Sequence, residues 1–398
     1  MDYFKESLIL HKRLRGKIRV GTKFDVRTKE DLALVYSPGV AAPCREIAED
    51  PEKVWDYTIK SNTVAIVTDG SAVLGLGNIG AKAAIPVMEG KAMLFRRFAG
   101  IDAFPICLDT QDPDKIVETV KMISPVFGGV NLEDISAPNS FEVEQRLQNI
   151  GIPVFHDDQH GTAIVVLGGL INAAKLVKKE FSDLKVVING AGAAGVAIAK
   201  LLQCVGGEHL DTCVPVKSIL VCDSKGIISP DREDLNSSKQ ELLQFTNKDK
   251  VSGGLQDALD GADVFIGVSV GNLLKAEDIE RMAKDAIVFG LANPEPEIMP
   301  EEAKKGGAAI VGTGRSDLPN QVNNVLGFPG IFRGALDARA KTISAKMKIA
   351  AARAISNCLM HPTPDMVIPP TLNAEVAFKV AEAVREAALE EQRWNQSD

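Results

Sequence analysis

The hexapeptide FHDDQH at residues 155–160 places two histidines and two aspartates in six positions. The spacing of His156 and His160 is that of a zinc-binding helix, but the zincin motif requires Glu directly after the first His, and this chain has Asp157 there. The Gly-Thr pair that follows His160 predicts a turn rather than the middle of a helix. Because the chain has only 5 histidines, a third imidazole ligand is hard to find. Zinc is therefore the weaker metal hypothesis.

A second acidic segment offers the aspartates of this hexapeptide a better partner. The sequence NLEDISAP at 131–138 contributes the adjacent pair Glu133 and Asp134, which follows a predicted strand or turn. Adjacent acids are commonly a solvated surface, but three carboxylates from two strand ends can hold a hard divalent cation and leave positions open for substrate oxygens. The two segments together favour a site for a hard divalent cation.

A glycine-rich loop predicts a dinucleotide site. The strand KVVI leads through Asn189 into the pattern Gly190, Gly192 and Gly195, and a helix-forming run follows. At such a junction the N–H groups of the helix end can bind a pyrophosphate. The next predicted strand ends in Asp223, 28 positions after Gly195, where an acid can accept hydrogen bonds from a ribose.

The same glycine pattern occurs earlier, at Gly75, Gly77 and Gly80, in a poorer context. Six residues separate these glycines from the preceding strand, and the helix that would follow meets Pro86 and then Gly90. We interpret this copy as a tight loop, either a structural turn or a wall of the active site.

Apolar spacing predicts the elements that carry these motifs. Strands are predicted at 64–67, 103–108, 152–158, 184–190, 218–224, 262–268 and 285–293. Helices are predicted at 114–123, 141–150, 161–179 and 193–205, and two long amphipathic helices at 335–358 and 373–392. Strands that alternate with helices predict a parallel sheet covered on both faces.

Bulk composition excludes several classes of protein. The chain has 398 residues and a net charge of −8, which argues against nucleic acid or an acidic membrane as a partner. The N-terminal segment has no apolar stretch of signal-peptide length and predicts an amphipathic helix, and no run of about 20 apolar residues predicts a membrane span. The 6 cysteines are scattered, so we expect a cytoplasmic protein with reduced thiols.

These segments together resemble the malic enzyme family over nearly the whole chain. The resemblance is carried, in order along the chain, by YSPGVAAP (36–43), TDGSAVLGLGNIG (68–80), PVMEGKAMLF (86–95), NLEDI (131–135), FHDDQHGTA (155–163), NGAGAAG (189–195), LANPEPE (291–297) and NNVLGFPG (323–330). The length is similar to that of the compact prokaryotic form.

The resemblance implies a role for particular residues. Tyr36 and Lys91 match the catalytic tyrosine and lysine, and Asp157 matches an acid that helps to place the lysine. The three metal ligands match Glu133, Asp134 and Asp158. Substrate and nicotinamide contacts match Lys91, Asn293, Asn323 and Asn324, and the dinucleotide loop matches Gly190, Gly192, Ala193, Ala194 and Gly195, with Asp223 at the ribose.

One position departs from the family pattern. Larger members carry an arginine that binds the substrate in the loop after the TDG strand, where this chain has Ala72. Either the substrate carboxylate is bound in another way, or another basic residue substitutes, and Arg96 and Arg97 are near in the chain.

The implied chemistry sets requirements on two of these side chains. A lysine can remove the hydroxyl proton if burial and the nearby metal lower its pKa from about 10.4 toward neutrality. A tyrosine is protonated at neutral pH and can protonate the enol product. Such acid–base groups contribute roughly 10²–10⁴-fold each.

The resulting prediction is an α/β protein with two domains. Residues 1–157 form a substrate and metal domain, 158–320 a Rossmann-type doubly wound NAD(P) domain, and 321–398 helices that pack back on the first domain. The expected reaction is oxidative decarboxylation of L-malate to pyruvate and CO₂, with Mn²⁺ or Mg²⁺ and with NAD preferred over NADP, in a homodimer or higher homo-oligomer. Alternatives are malolactic conversion to lactate with retained NAD, a zinc hydrolase, and a non-catalytic dinucleotide sensor.

Overall fold

The computed structural model describes residues 3–207 and 211–397, without the side chains of Leu74 and residues 395–397. The strands are β1 Thr63–Thr68, β2 Asp102–Cys107, β3 Gly129–Leu132, β4 Val154–His156, β5 Lys185–Asn189, β6 Ser218–Asp223, β7 Gly226–Ile227, β8 Val264–Gly267, β9 Ile287–Gly290 and β10 Ile310–Thr313. The helices of the first half are α1 Tyr3–Leu14, α2 Lys29–Val35, α3 Ala41–Glu49, α4 Val54–Tyr57, α5 Gly80–Ala99, α6 Pro113–Ile123, α7 Asn139–Leu147 and α8 Asp157–Leu176. Those of the second half are α9 Ala193–Leu202, α10 Ser237–Leu242, α11 Leu255–Leu259, α12 Ala276–Ile279, α13 Pro300–Lys305, α14 Phe328–Asp337, α15 Ala345–Asn357 and α16 Ala374–Ser397.

Two sheets organise the chain. The first is parallel throughout, in the order β2-β1-β3-β4, and β1 is buried along its whole length. The second has the order β10-β9-β8-β5-β6-β7, parallel except for the short edge strand β7. The predicted α/β class is confirmed, because continuous apolar strands of this kind require helices on both faces.

The order of the second sheet reverses on either side of β5. The chain proceeds from β5 to β6 on one side and then crosses to β8 on the other. The carboxyl ends of β5 and β8 therefore border a crevice, which is where open α/β sheets bind their ligands.

Helix α8 begins directly after β4 and leads from the first sheet toward the second. The prediction of a turn at Gly161 is wrong, because Asp157–Leu176 is one helix and Gly161 lies in its second turn. The predicted strand through residue 158 also ends early, at His156. Beyond its polar first turn the helix is mostly apolar, and α9 and α15 pack against it.

Helix α5 corrects a second expectation. A 20-residue helix follows the first glycine loop and continues through Pro86, so proline does not end it here. The loop itself approaches another segment closely, since a Cβ on Gly75 would lie 2.5 Å from the carbonyl oxygen of Asn293. Lys91 lies on the buried face of this helix.

The C-terminal helices pack on both α5 and α8. The predicted helix 335–358 is wrong as one element: α14 ends at Asp337, Arg339 adopts a φ of 48°, and α15 starts at Ala345. Helices α14 and α16 approach closely because Gly330 and Gly334 face the α16 backbone, where a Cβ would lie 2.6 and 2.4 Å from carbonyl oxygens. The proposed domain boundaries at 157/158 and 320/321 stay predictions.

The N-terminal segment 3–49 lies on the outside of the molecule. Helices α1, α2 and α3 have no buried residue, and large apolar side chains such as Phe4, Leu8 and Leu34 are exposed. Lys17 ties the segment to α5, where its backbone N donates to Glu89 Oε2 at 3.1 Å and its Nζ donates to the Pro86 carbonyl.

The expectation that all cysteines are reduced is wrong for one pair. Cys204 and Cys213 form a disulfide with a Cα–Cα distance of 5.8 Å. Cys204 follows the end of α9 with a φ of 57°, and the chain turns back there toward Cys213. In the described ranges, the helices are all too short or too polar to cross a bilayer.

Candidate active site

Lys91 and two acids form a buried ion cluster between α5, β3 and α8. The Lys91 Nζ donates to Glu133 and, at 2.5 Å, to Asp157 Oδ2. The Lys91 side chain is only 6% exposed, and its Nζ lies 4.5 Å from the centre of the Phe328 ring. The structure thus brings together residues that are 42 and 66 positions apart in the chain.

The three predicted metal ligands converge beside this cluster. Glu133, Asp134 and Asp158 each offer a carboxylate oxygen, and these oxygens lie within 4.8 Å of one another. Asp134 adopts a φ of 54° at the end of β3, and its backbone N donates to Asp158 Oδ2 at 2.7 Å. Burial raises the pKa of Glu133 to about 7, so a cation would relieve the cost of its charge. Hard oxygen donors at this separation fit Mn²⁺ or Mg²⁺.

The acids around Lys91 decide its charge state when no cation is bound. Burial alone would lower the pKa of Lys91, but the negative charges of Asp157, Glu133 and Asp158 outweigh burial, and the pKa is raised. The shift toward neutrality was predicted for burial together with a nearby metal, so it stays a prediction. The negative charge of Glu133 stabilises the ammonium of Lys91. If Glu133 bound a metal cation instead, the ammonium would be less stabilised and the pKa of Lys91 would fall.

Asp157 is held from several sides. The side chain is fully buried, and burial raises its pKa to about 7 although Lys91 opposes this shift. Asn324 lies against it, and its hydrogen bond favours the charged carboxylate. A Cβ on Gly161 would lie 1.9 Å from Asp157 Oδ1, so only glycine leaves room for this carboxylate one helical turn away.

We expect Gly161→Ala to lower kcat by about 10²-fold, because the methyl group pushes Asp157 away from Lys91 and misplacement of about 1 Å has that cost. The measurement is steady-state kinetics together with thermal unfolding. Asp157→Asn serves as the comparison, because displacing the carboxylate and neutralising it should give defects of similar size. A folded Gly161→Ala enzyme with unchanged kcat would contradict the role given to Asp157.

The sequence did not indicate the residues that position Glu133 and the start of α8 through hydrogen bonds. Asn131 Nδ2 donates to Glu133 Oε2 at 2.9 Å. Glu144 of α7 accepts from the His156 backbone N at 3.2 Å and from His160 Nε2 at 3.0 Å, and so fixes the start of α8. Only the position of Asn131 in β3, two residues before Glu133, was a usable signal.

The two histidines of the opening hexapeptide do not form a metal group. Burial lowers the pKa of His156 to about 4, and His160 pairs with Glu144 rather than with a further ligand. Among the described residues, the acid triad is the group whose ligand atoms converge.

The three asparagines predicted to contact substrate and nicotinamide have different surroundings. Asn324 reaches the Lys91 cluster through Asp157. The Oδ1 of Asn323 instead accepts from the Val325 backbone N at 2.9 Å and caps a short 3₁₀ helix. Asn293 is exposed in the loop after β9 and lies beside Gly75 and Gly314.

Two other predicted residues lie away from this cluster. Tyr36 ends α2 on the outer segment with 68% of its surface exposed, and the described contacts do not join it to Lys91. Arg96 and Arg97 lie in the last turn of α5, where Arg96 forms an exposed ion pair with Asp102 at 2.8 Å, and the described contacts join neither arginine to Lys91.

The second glycine loop has the geometry that the motif requires. Gly190 follows β5 with a φ of 122°, and α9 starts at Ala193, so Ala193 and Ala194 supply its first N–H groups. A Cβ on Gly195 would lie 1.8 Å from the Gly190 carbonyl oxygen, so glycine is needed for helix and strand to pack this closely.

The acid at the end of β6 is already paired. Asp223 accepts from both terminal nitrogens of Arg232, at 2.8 and 2.9 Å, and from Lys239 Nζ at 2.6 Å. Burial opposes ionisation, but these bonds hold the pKa of Asp223 at about 2. A ribose would meet a carboxylate surrounded by cations.

Comparison with known proteins agrees with this arrangement. The N-terminal domain of malic enzymes matches residues 15–148, and the malic enzyme NAD binding domain matches residues 159–389. A bifunctional malic/malolactic enzyme of Bacillus subtilis is 58% identical over 98% of this chain and 94% of its own. An NADP-dependent malic enzyme of Escherichia coli is 47% identical over 94% of this chain and 51% of its own. The crystal structure of an NAD-dependent malic enzyme from Thermotoga maritima superposes with a TM-score of 0.90 at 50% identity, over 95% of this chain and 98% of its own. From its matched domains, its relatives and its fold, the chain belongs to the malic enzyme family.

Proposed function

We propose that this protein oxidises and decarboxylates L-malate to pyruvate and CO₂ and reduces NAD⁺ or NADP⁺, with Mn²⁺ or Mg²⁺ bound by Glu133, Asp134 and Asp158. The observation that carries the proposal is the buried Lys91, bonded to Asp157 and to one ligand of the acid triad. When bound, the cation supplies positive charge that stabilises the developing enolate.

Side chains of the protein carry out the proton transfers and position the groups that react. Lys91 removes the proton of the malate hydroxyl as hydride leaves C2, and Asp157 orients the lysine. Asn324 hydrogen-bonds to Asp157 and supports its charged form. Tyr36 protonates C3 of the enol. These roles rest on the contacts of Lys91 and on the family resemblance.

Growth of reduced-nicotinamide absorbance tests the proposal. Purified protein, L-malate and Mn²⁺ should reduce NAD⁺ or NADP⁺, and EDTA should abolish the signal. Absorbance growth that is unaffected by EDTA would contradict the metal role. A folded protein that binds Mn²⁺ but consumes no malate would contradict the enzyme itself.

A malolactic reaction is the second candidate, favoured by the bifunctional relative at 58% identity. It would yield lactate and leave no net reduced nicotinamide. Lactate assay on the same samples separates the two reactions.

We further propose that segment 3–49 packs on a second copy of the chain and brings Tyr36 into the partner's active site. Its exposed apolar side chains are of the kind that interfaces cover, and Tyr36 is exposed in the single chain. A two-fold symmetric homodimer would exchange the two segments.

Mixing two inactive variants tests this exchange. If Tyr36 acts across the interface, Tyr36→Phe refolded with Lys91→Met gives heterodimers with one intact site, and activity recovers to roughly one quarter of wild type at random pairing. If Tyr36 acts within its own chain, mixing recovers nothing. Light scattering on the mixture verifies that dimers form.

We propose that the enzyme accepts both cofactors, because the carboxylate of Asp223 is paired with two cations, Arg232 and Lys239. Lys239→Met should raise the KM for NADP⁺ by about 10-fold and change that for NAD⁺ little, since it removes a cation beside the expected 2′-phosphate. The exposed Lys248→Met is the control. Equal effects on both cofactors would contradict this role of Lys239.

A further inference from the structure

A cavity of about 660 Å³ lies on the far side of the first turn of α8 from Lys91. Its walls come from α7 on the first sheet, from α9 and α10 on the second, and from α8 and α15 between them. Its lining includes none of the metal triad, Lys91 or the dinucleotide glycines. This volume is in the range of sites for small organic ligands.

Gln159 presents an unused donor to this cavity. It follows Asp157 by two positions, so its side chain leaves α8 about 200° around the helix from that carboxylate. Gln159 is only 4% exposed, and its Nε2 has no hydrogen-bond partner. A buried amide without a partner is destabilising, and an acceptor bound in the cavity would remove that cost.

Lys348 of α15 supplies a second donor. Its Nζ donates to His160 Nδ1 at 3.2 Å, and with that tautomer His160 Nε2 donates to Glu144. A lysine ammonium has three N–H donors, so Lys348 keeps donors for a ligand. Burial lowers the pKa of Lys348, and an anion beside it would stabilise its charge.

The rest of the lining limits what the anion can be. Phe141, Val196 and Ile343 make part of the wall apolar. Glu144 and Glu241 also line it, the latter paired with Lys200 at 2.7 Å, so a strongly negative group such as a phosphate dianion would be repelled. One carboxylate with an apolar body fits both features.

We propose that this cavity is a binding site for a carboxylate anion with a short apolar body, whose carboxylate accepts from Gln159 and Lys348. Gln159 and His160 share the first turn of α8 with Asp157 and Asp158. A ligand bound in the cavity therefore fixes the first turn of α8 and raises the affinity of the acid triad for a divalent cation. This coupling rests on the proposed metal role of the triad.

Ligand-observed ¹⁹F NMR with 4-fluorophenylacetate and the full-length, metal-free protein tests the binding. We expect line broadening that unlabelled phenylacetate reverses and that neither 2-phenylethanol nor inorganic phosphate reverses. Lys348→Met should weaken binding by about 10-fold. Ala345→Phe, which fills the cavity from α15, should abolish it. Lys346→Met is the matched control, because Lys346 lies on the same helix but pairs with Glu390.

Three outcomes would overturn the binding site. These are no broadening at millimolar probe, unchanged binding in Lys348→Met, or loss of binding in Lys91→Met, which would place the probe in the active site instead. None of them depends on malate turnover, so failure here is distinct from failure of the proposed reaction.

The coupling has its own measurement. Mn²⁺ affinity, followed by electron paramagnetic resonance, should increase about 5-fold at saturating phenylacetate. The Lys348→Met protein should show no such increase. An unchanged Mn²⁺ affinity in the wild type with bound phenylacetate would overturn the coupling.

Discussion

Replacing Lys91 with methionine should lower kcat by about 10³-fold, within the range that a positioned acid–base group contributes. Methionine has a similar length and keeps the contact with Phe328, but it carries no proton to transfer and leaves Glu133 and Asp157 without their cation. Steady-state reduction of NAD⁺ or NADP⁺ by malate at saturating Mn²⁺ measures the loss. Thermal unfolding on the same protein separates lost chemistry from lost folding.

The matched control is Lys82→Met on the exposed face of the same helix. It should keep wild-type kcat and KM. If Lys91→Met oxidised malate at the wild-type rate, Lys91 would not be the base, and the cluster would have only a structural role.

Replacing Glu133 with glutamine should weaken Mn²⁺ binding by about 10²-fold or more, because even residues that only support metal ligands change affinity 10–100-fold. Glutamine keeps the shape of the side chain and can still accept from Asn131. The substitution removes one of the three negative charges of the triad. This charge is the one that Lys91 pairs with. Mn²⁺ titration by electron paramagnetic resonance measures this without any turnover.

Glu118→Gln is the control for this experiment, because Glu118 is an exposed acid on α6. Its Mn²⁺ affinity should equal that of the wild type. If Glu133→Gln bound Mn²⁺ as tightly as the wild type, Glu133 would not be a metal ligand, and the proposed metal site would be contradicted.

Local patterns predicted the strands and the dinucleotide loop because their signals lie within a few residues. The apolar run 64–67 lies within Thr63–Thr68, and the loop at Gly190 joins β5 to α9 as the motif requires. The strands β7 and β10 were not predicted.

Other features depend on contacts that local sequence does not show. Gly161 suggested a turn, but glycine is needed there because Asp157 occupies the space of a Cβ. The pKa of Lys91 is raised by acids from two other elements, which a single segment cannot reveal. Asn323 and Asn324 are neighbours in the chain, yet one caps a helix and the other contacts Asp157.

The reaction itself is tested most directly by product analysis with uniformly ¹³C-labelled L-malate. The protein, Mn²⁺ and NAD⁺ or NADP⁺ should give pyruvate and CO₂ or bicarbonate by ¹³C NMR, with one reduced nicotinamide formed for each pyruvate. Both products should disappear with EDTA and in Lys91→Met. Lactate without net reduced nicotinamide would replace the proposed reaction with the malolactic one, and unconsumed malate in a folded, Mn²⁺-bound protein would contradict it.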